Sequence, residues 1–315
     1  MSGGWGGRAA GGERREGGAV RVGGRRGGRG QARLLAVRID LHVHSNASDG
    51  TDDPAEVIRR AAAAGVDVVA LTDHDTAAGW DEAEAALPAG LTLVPGMELS
   101  CQLDGRSVHL LSYLFDPENA ELARETSLIR DDRTHRAKGM IARLNELGAD
   151  VTWEQVARIA DGAVVGRPHI ARAMTEAHVI DTPADAFTAD WIADGGRAYV
   201  ERYAITLGRA VRLVREAGGV PVLAHPRSPG YEIPDDVIAG LAAGGLGGIE
   251  VNHPDHDELE RSRLRALAAA LGLLTTGGSD DHGSFTPSAG NAGGIGSEST
   301  PDEEYSKLIS QAGMG

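Results

Sequence analysis

Apolar side chains recur at Leu34, Leu35, Val37, Ile39 and Leu41, and the run stops at a His-x-His pair, His42 and His44. Such a run reads as a strand, and in a strand residues two apart share a face. The two imidazoles are therefore expected side by side at the strand's end. Asp52-Asp53-Pro54 opens a helix with an acidic cap and a proline in the first turn, and Gly65 closes it. Val66 to Leu71 reads as a short buried strand ending in Thr72-Asp73-His74-Asp75. A helix is expected over 77–87, then a strand over 91–94 that ends in Pro95-Gly96-Met97-Glu98. The next strand, 107–114, contains His109.

The alternation then breaks. Residues 116 to 196 carry helical patterns and no clear strand. A long helix is expected over 118–147, closed by Gly148. Thr152 can cap a second, and Pro168 and Pro183 fit the first turns of a third and a fourth. The strand–helix rhythm resumes with a helix over 207–217 and a strand, 220–224, that ends in His225-Pro226. A helix over 235–243 precedes the strand 248–251, which ends in Asn252-His253. An amphipathic helix, 258–271, leads to the strand 273–276 and Gly277-Gly278-Ser279-Asp280-Asp281-His282. Residues 283–300 read as loose, with a short helix over 302–311. Alternating strands and helices imply a parallel α/β sheet or barrel whose site lies where the strands end. The expected organisation is a tail (1–33), a discontinuous barrel (34–115 and 197–283), a helical insertion over the strand ends (116–196) and a loose C-terminal segment with a short helix (284–315).

Charge and composition narrow the function. Residues 1–33 hold eight Arg, two Glu and 13 Gly, a net of +6, and the whole chain is −15, so the remainder is −21. A Gly/Arg-rich stretch buries too little surface to offset its ordering entropy, so disorder is expected there. The acidic remainder argues against binding duplex nucleic acid. Hydrophobic residues at 41% supply a core. The single cysteine, Cys101, allows no intrachain disulfide and fits a reducing, cytoplasmic setting. No apolar run is long enough to span a bilayer.

Nine metal-type residues fall at or near successive strand ends: His42, His44, Asp49, His74, Glu98, His109, His225, Asp280 and His282. Imidazoles and carboxylates in that mixture suit a borderline divalent ion such as zinc, manganese or iron. Asp40 reads as an orienting carboxylate behind His42. Asp73 and Asp75 are either site groups or solvated loop carboxylates. Of the other histidines, His135 and His178 read as ordinary helix residues and His256 as surface, while His169 and His253 are candidates to face the pocket. Arg133 and Arg136 are three apart on one helix face. Arg167 precedes a proline-opened helix whose N-terminus can itself hold an anion. Lys138 reads as a solvated helix charge.

His-x-His-Ser, Ser-Asp-Gly, Thr-Asp-His-Asp, Gly-Met-Glu, His-Leu-Leu-Ser-Tyr, Ala-His-Pro and Gly-Ser-Asp-x-His occur in that order between Arg38 and Gly283. Together they resemble the PHP (polymerase and histidinol phosphatase) family of metal-dependent phosphoesterases. The insertion's Gly166-Arg167-Pro168-His169-Ile170-Ala171-Arg172 is similar to the subgroup that acts on nucleotides. The resemblance implies a distorted (β/α)7 TIM-like barrel with an inserted helical subdomain. It also implies two or three divalent ions (Mn, Zn or Fe) on the nine residues above. The family pattern Asp-x-His selects Asp280 over Asp281, and Glu98 matches the bridging carboxylate. The implied reaction is attack on phosphorus by a hydroxide held between metals. His109 or Asp75 would be the acid, and Arg133, Arg136, Arg167, His169 and His253 would be the substrate contacts. The expected substrate is a small nucleotide, such as a nucleoside 3',5'-bisphosphate or 5'-monophosphate. The alternatives are 5'-3' exonuclease action on short RNA or DNA, histidinol-phosphate hydrolysis, and a non-catalytic metal-binding domain.

Overall fold

A computed structural model describes residues 37–201, 203–228, 232–285 and 294–312. The expected tail, 1–33, lies outside the described residues, as do 286–293 and 313–315 of the C-terminal segment. The chain runs β1 (Ile39–Val43), α1 (Pro54–Ala63), β2 (Val68–Leu71), α2 (Trp80–Ala85), β3 (Thr92–Leu103) and β4 (Arg106–Tyr113). The inserted helices α3 (Ala120–Glu146), α4 (Trp153–Ala160) and α5 (Arg167–Glu176) follow. Then come β5 (Ile205–Thr206), α6 (Leu207–Glu216), β6 (Val220–Leu223), α7 (Asp235–Ala243), β7 (Gly248–Asn252), α8 (Glu258–Leu271), β8 (Leu274–Gly277) and α9 (Asp302–Gln311).

Local chemistry sets the helix starts. The Asp53 carboxylate accepts the Glu56 N–H at 2.6 Å ahead of Pro54, and Thr152 and Gln155 form a reciprocal capping box on α4. Pro168 sits in the first turn of α5. Pro183 opens only a 3₁₀ turn, Pro183–Ala186, where a full helix was expected. There the Asp185 carboxylate turns back to accept the Thr182 N–H at 2.8 Å, closing the turn on itself.

The strands join in the order β1-β2-β3-β4-β6-β7-β8, with β5 beside β3. The barrel nearly closes: Val43 bridges Asp281, His44 N–H donates to Asp281 O at 2.9 Å and Asp280 N–H to His42 O at 2.8 Å. The sheet is not wholly parallel, because β3 does not stop at Glu98. Its first half pairs with β2 in parallel, and its second half pairs antiparallel with β4, which is also antiparallel to β6. Asp104 and Gly105, at φ 50° and 76°, make the two-residue turn between Leu103 and Arg106. An Asp-Gly pair is the sequence signal for this hairpin, since both positions need positive φ.

One apolar cluster draws Ile39, Leu41, Val68, Ala70, Val94, Leu111, Tyr113, Val220, Val222 and Leu274 from six strands, with Leu308 of α9. Only the inside of a barrel brings six strands together, so this cluster is the floor beneath the site. Val43 instead packs with Val57, Ile58 and Ala61 of α1; the change falls at the register shift between Asp40 and Val43. The insertion has its own cluster, including Met140, Ile141, Leu144, Val156, Ile170, Met174 and Ile192. Residues 294–300, expected to be loose, are tied to the barrel. Asn252 donates to Ser299 O at 2.7 Å, Thr300 Oγ1 exchanges two hydrogen bonds with the Gly277 backbone, and Arg261 pairs with Glu298 at 2.6 Å. No helix among the described residues is long and apolar enough to cross a membrane.

Candidate metal centre

Glu98 is the hub. Its Oε1 lies 2.8 Å from His109 Nδ1 and 3.0 Å from His225 Nε2. Its Oε2 lies 3.2 Å from His44 Nε2, 3.2 Å from His74 Nδ1 and 3.3 Å from His42 Nε2. The paired rings of the His-x-His motif meet as expected, Nε2 to Nε2 at 3.1 Å. Asp280 Oδ1 stands 3.2 Å from both. Asp49 faces His282 at 3.3 Å and His74 at 3.8 Å, and the His282 ring stacks on that of His44 at 4.0 Å. All nine residues expected around the metals thus converge above the apolar floor.

Backbone chemistry holds them there. Asp73 accepts the Ser45 N–H at 2.8 Å and both the Ser45 and Ser48 hydroxyls at 2.7 Å, which folds the turn carrying Asp49. Asp40 accepts N–H groups of His42, Ser279 and Gly296 and stitches β1 to the segments after β8. It thus orients the backbone of His42, not its ring. A Cβ on Gly278 would lie 2.4 Å from His42 N, so only glycine lets that segment cross beside the His-x-His strand. Asp281 turns away to pair with Arg60 at 2.8 Å.

The donors suit a metal. Among the described residues, four overlapping groups place at least three imidazole nitrogens or carboxylate oxygens within 4.8 Å of one another: His44/Asp49/His74/His282, His42/His44/Glu98/Asp280, His74/Glu98/His109 and His42/Glu250/His253. His44 Nδ1 is buried without a hydrogen-bond partner. The only cysteine, Cys101, is buried in the outer apolar cluster, so the donor set is nitrogen and oxygen.

Electrostatics agree. Burial pushes the Glu98 carboxyl up, but His109, His74 and His42 outweigh it and hold it well below the usual range. Burial likewise opposes charge on His44 and His225, yet the carboxylates of Asp280 and Glu98 lift His44 to about 10, and Glu98 lifts His225 to about 9. His74 goes the other way, to about 3, because burial outweighs Glu98 and Asp49. One consequence is measurable. A metal takes neutral imidazole, so at pH 7–8 a divalent ion such as zinc, if held by His44 and His225, would displace protons from both. Apparent zinc affinity should rise with pH towards about 9–10 and fall in acid. Calorimetry in two buffers of different ionisation enthalpy should show net proton release; identical heats in both buffers would contradict it.

The expected acids and substrate contacts are placed less uniformly. Asp75 is no acid: Ser100 N–H at 2.7 Å, Ser100 Oγ at 2.8 Å and Arg133 at 2.7 Å hold it as a satisfied buried carboxylate. It positions Arg133, whose Nη2 also donates to Ser100 Oγ at 2.6 Å. Arg133 Nη1 is left over from these bonds and points to Gly166, where a Cβ would lie 3.7 Å from Nη1 and 3.3 Å from Asp49 Oδ2. Arg136 braces the insertion: Nε donates to Val200 O at 2.7 Å and the guanidinium covers the Tyr199 ring. Lys138 covers the Trp153 ring.

His169 is buried, and its Nδ1 accepts the Gly166 N–H at 3.0 Å. The proton of the neutral ring therefore sits on Nε2. Burial pushes its pKa down to about 4, so it is a neutral donor. His253 lies 3.5 Å from Asp280 Oδ2 and joins His42 and Glu250 in one of the groups that could hold a metal. Arg167 pairs with Asp194 at 2.7 Å on the wall of a cavity of about 690 Å³. That cavity reaches His225 and is also lined by Arg106, Ser107, Phe187 and Tyr199. His256 is buried, not on the surface, because its Nδ1 bonds Val251 O and its Nε2 accepts from Arg227 N–H.

One residue escaped the sequence reading altogether. Glu250, buried in β7, accepts the His42 Nδ1–H at 2.9 Å and the His225 N–H at 2.9 Å. A lone carboxylate inside the apolar run Ile249-Glu250-Val251 was the available signal.

The PHP domain model matches residues 40–174, from β1 to the end of the α5 region. The chain is 32% identical to the 5'-3' exoribonuclease of Haemophilus influenzae, over 79% of this chain and 91% of that protein. It is 34% identical to the 3',5'-nucleoside bisphosphate phosphatase of Chromobacterium violaceum, over 78% and 87%. It is also 34% identical to a phosphoribosyl 1,2-cyclic phosphate 1,2-diphosphodiesterase of Eggerthella lenta, over 78% and 94%. Among solved structures, a metal-dependent phosphoesterase of Bifidobacterium adolescentis superposes with a TM-score of 0.81 at 35% identity, covering 87% of this chain and 96% of that one.

Proposed function

The chain belongs to the PHP domain family, and on that premise we propose that this hydrolytic phosphoesterase removes a phosphate from a small nucleotide, such as a nucleoside 3',5'-bisphosphate or 5'-monophosphate. The observation that carries this reading is the cavity of about 690 Å³ beside His225. Its size falls in the range of about 300–1,000 Å³ that encloses a single small molecule. Its wall carries groups a nucleotide can use: Arg106 and Arg167 for anionic oxygens, Arg167 in exchange for Asp194, and the Phe187 and Tyr199 rings, covered on one face by Arg167 and Arg136 respectively, with the other face for a base. The relatives named above act on different phosphoesters at nearly equal identity, so identity alone does not select among them.

His42, His44, Asp49, His74, Glu98, His109, His225, Asp280 and His282 would hold two or three divalent ions. Bound there, such ions neutralise phosphate oxygens and acidify water at neutral pH. The chain's own groups supply the rest. Arg133 Nη1 lies on the Asp49 side of the cluster and His169 is near enough to feel the Asp49 charge, so the two would fix a phosphate oxygen without bringing a second base. His109 is counted among those ligands, and a ligand imidazole is neutral, so it does not double as the acid for the departing oxygen.

A phosphate-release screen tests the substrate class. Nucleoside bisphosphates, 5'-monophosphates and 5'-phosphorylated di- to pentaribonucleotides are supplied with manganese, zinc or magnesium in turn. Preference for mononucleotides supports the reading; stepwise shortening of oligonucleotides at higher kcat/KM replaces it with exonuclease action. Arg167→Ala sharpens the test. A charge-assisted contact is worth about 1.5–3 kcal/mol, so kcat/KM on the best nucleotide should fall roughly ten- to hundredfold. An aryl phosphate too short to reach the cavity wall should be affected far less, and metal content should not change. Equal losses on both substrates would remove Arg167 from the substrate site.

A further inference from the structure

We infer that Glu250 is a positioning residue of the metal centre, fixing the tautomer of His42 and the backbone of His225 with one buried carboxylate. The inference rests on the metal reading above but not on the identity of the substrate.

His42 Nε2 faces His44, Glu98 and Asp280, each within 3.3 Å. This is the nitrogen that can take a metal. A neutral imidazole that gives Nε2 to a metal carries its proton on Nδ1, and that proton needs an acceptor because the ring is buried. Glu250 Oε1, at 2.9 Å, is that acceptor. Its other oxygen accepts the His225 N–H at 2.9 Å, where the chain takes an uncommon φ of 25° just before Pro226. The two histidines lie on opposite sides of the sequence, 183 positions apart, and their rings stack at 5.9 Å. Glu250 therefore sets the geometry of both from β7.

Both partners of Glu250 are donors, so an amide of the same shape cannot serve both. In Glu250→Gln the single amide oxygen can meet only one of them. If the amide NH₂ faces His42, the ring accepts at Nδ1 and moves its proton to Nε2, which blocks the nitrogen meant for the metal. Loss of such an orienting partner typically costs about 10- to 100-fold in metal affinity.

The test is zinc affinity by competition with a fluorescent chelator, on the full chain, wild type against Glu250→Gln. The expected result is a variant with unchanged far-UV circular dichroism, the same number of zinc ions at saturation and a 10- to 100-fold weaker Kd. Equal affinity in a folded variant overturns the inference. So does loss of one whole zinc equivalent, which would make Glu250 a ligand together with His42 and His253. If the wild type itself binds no zinc or manganese, the metal reading fails before the variant is reached. Should Glu250→Gln not fold, the His42 tautomer in the zinc-loaded wild type decides by nitrogen-15 NMR: a protonated Nδ1 supports the inference, and an unprotonated Nδ1 overturns it.

Discussion

Glu98→Gln is expected to lower kcat by about three to four powers of ten on every phosphoester, minimal or natural, and to strip metal from the protein. Five imidazole nitrogens lie within 3.3 Å of its two carboxylate oxygens. An amide in its place has one acceptor and two donors, and it carries no charge to set against a cation. Metal assistance to phosphoryl chemistry is worth several kcal/mol; about 4–5 kcal/mol at 1.36 kcal/mol per tenfold gives the stated range. The metal-free protein should respond as well. Glu98 helps to lift His44 to about 10 and His225 to about 9, so without it both rings should lose protons at lower pH. Whatever zinc still binds would then release fewer protons at pH 7–8. The sign follows from the linkage: removing the partner of a raised imidazole lowers its pKa. Metal content by atomic emission and kcat on an aryl phosphate decide the matter. A loss of less than tenfold with metal retained would show that Glu98 is not the hub its position suggests.

What could be read in advance was local. His42-x-His44, the Ser48-Asp49-Gly50 turn and Asp280-x-His282 announce themselves within a few residues, because strand alternation and turn chemistry act at that range. The helices whose caps lie in adjacent sequence, α1 and α4, were equally legible. The misses are long-range. The strand expected over 91–94, ending in Pro95-Gly96-Met97-Glu98, runs on instead, because pairing with β4 carries β3 to Leu103. Asp75 and Arg133 are 58 residues apart, and only the packing of α3 on the barrel makes them a pair. Glu250 looks like any residue of a short strand until His42, 208 positions away, is seen to depend on it.

The Asp75–Arg133 pair separates stability from function. Arg133→Ala removes the guanidinium that pairs with the buried Asp75 carboxylate, and breaking a buried pair in this way costs about 3–5 kcal/mol. At roughly 2–4 °C per kcal/mol, the melting temperature should fall by about 10 °C. Asp75→Asn combined with Arg133→Met should recover most of that loss. No unpaired charge remains, the amide can still accept the Ser100 N–H, and asparagine tolerates the left-handed backbone at φ 56°. Activity on nucleotides should not recover with stability, because the nitrogen that points towards Gly166 and Asp49 is gone in both variants. Removing one charge-assisted contact predicts a persisting loss in kcat/KM of roughly ten- to hundredfold. Differential scanning calorimetry and nucleotide kinetics on the two variants give the answer together. Arg133→Ala melting within about 1 °C of wild type would show that Asp75 is not paired in solution. A double variant as active as wild type would make Arg133 a brace between α3 and the barrel, and His169 would then be left as the protein's contact to the substrate phosphate on the Asp49 side.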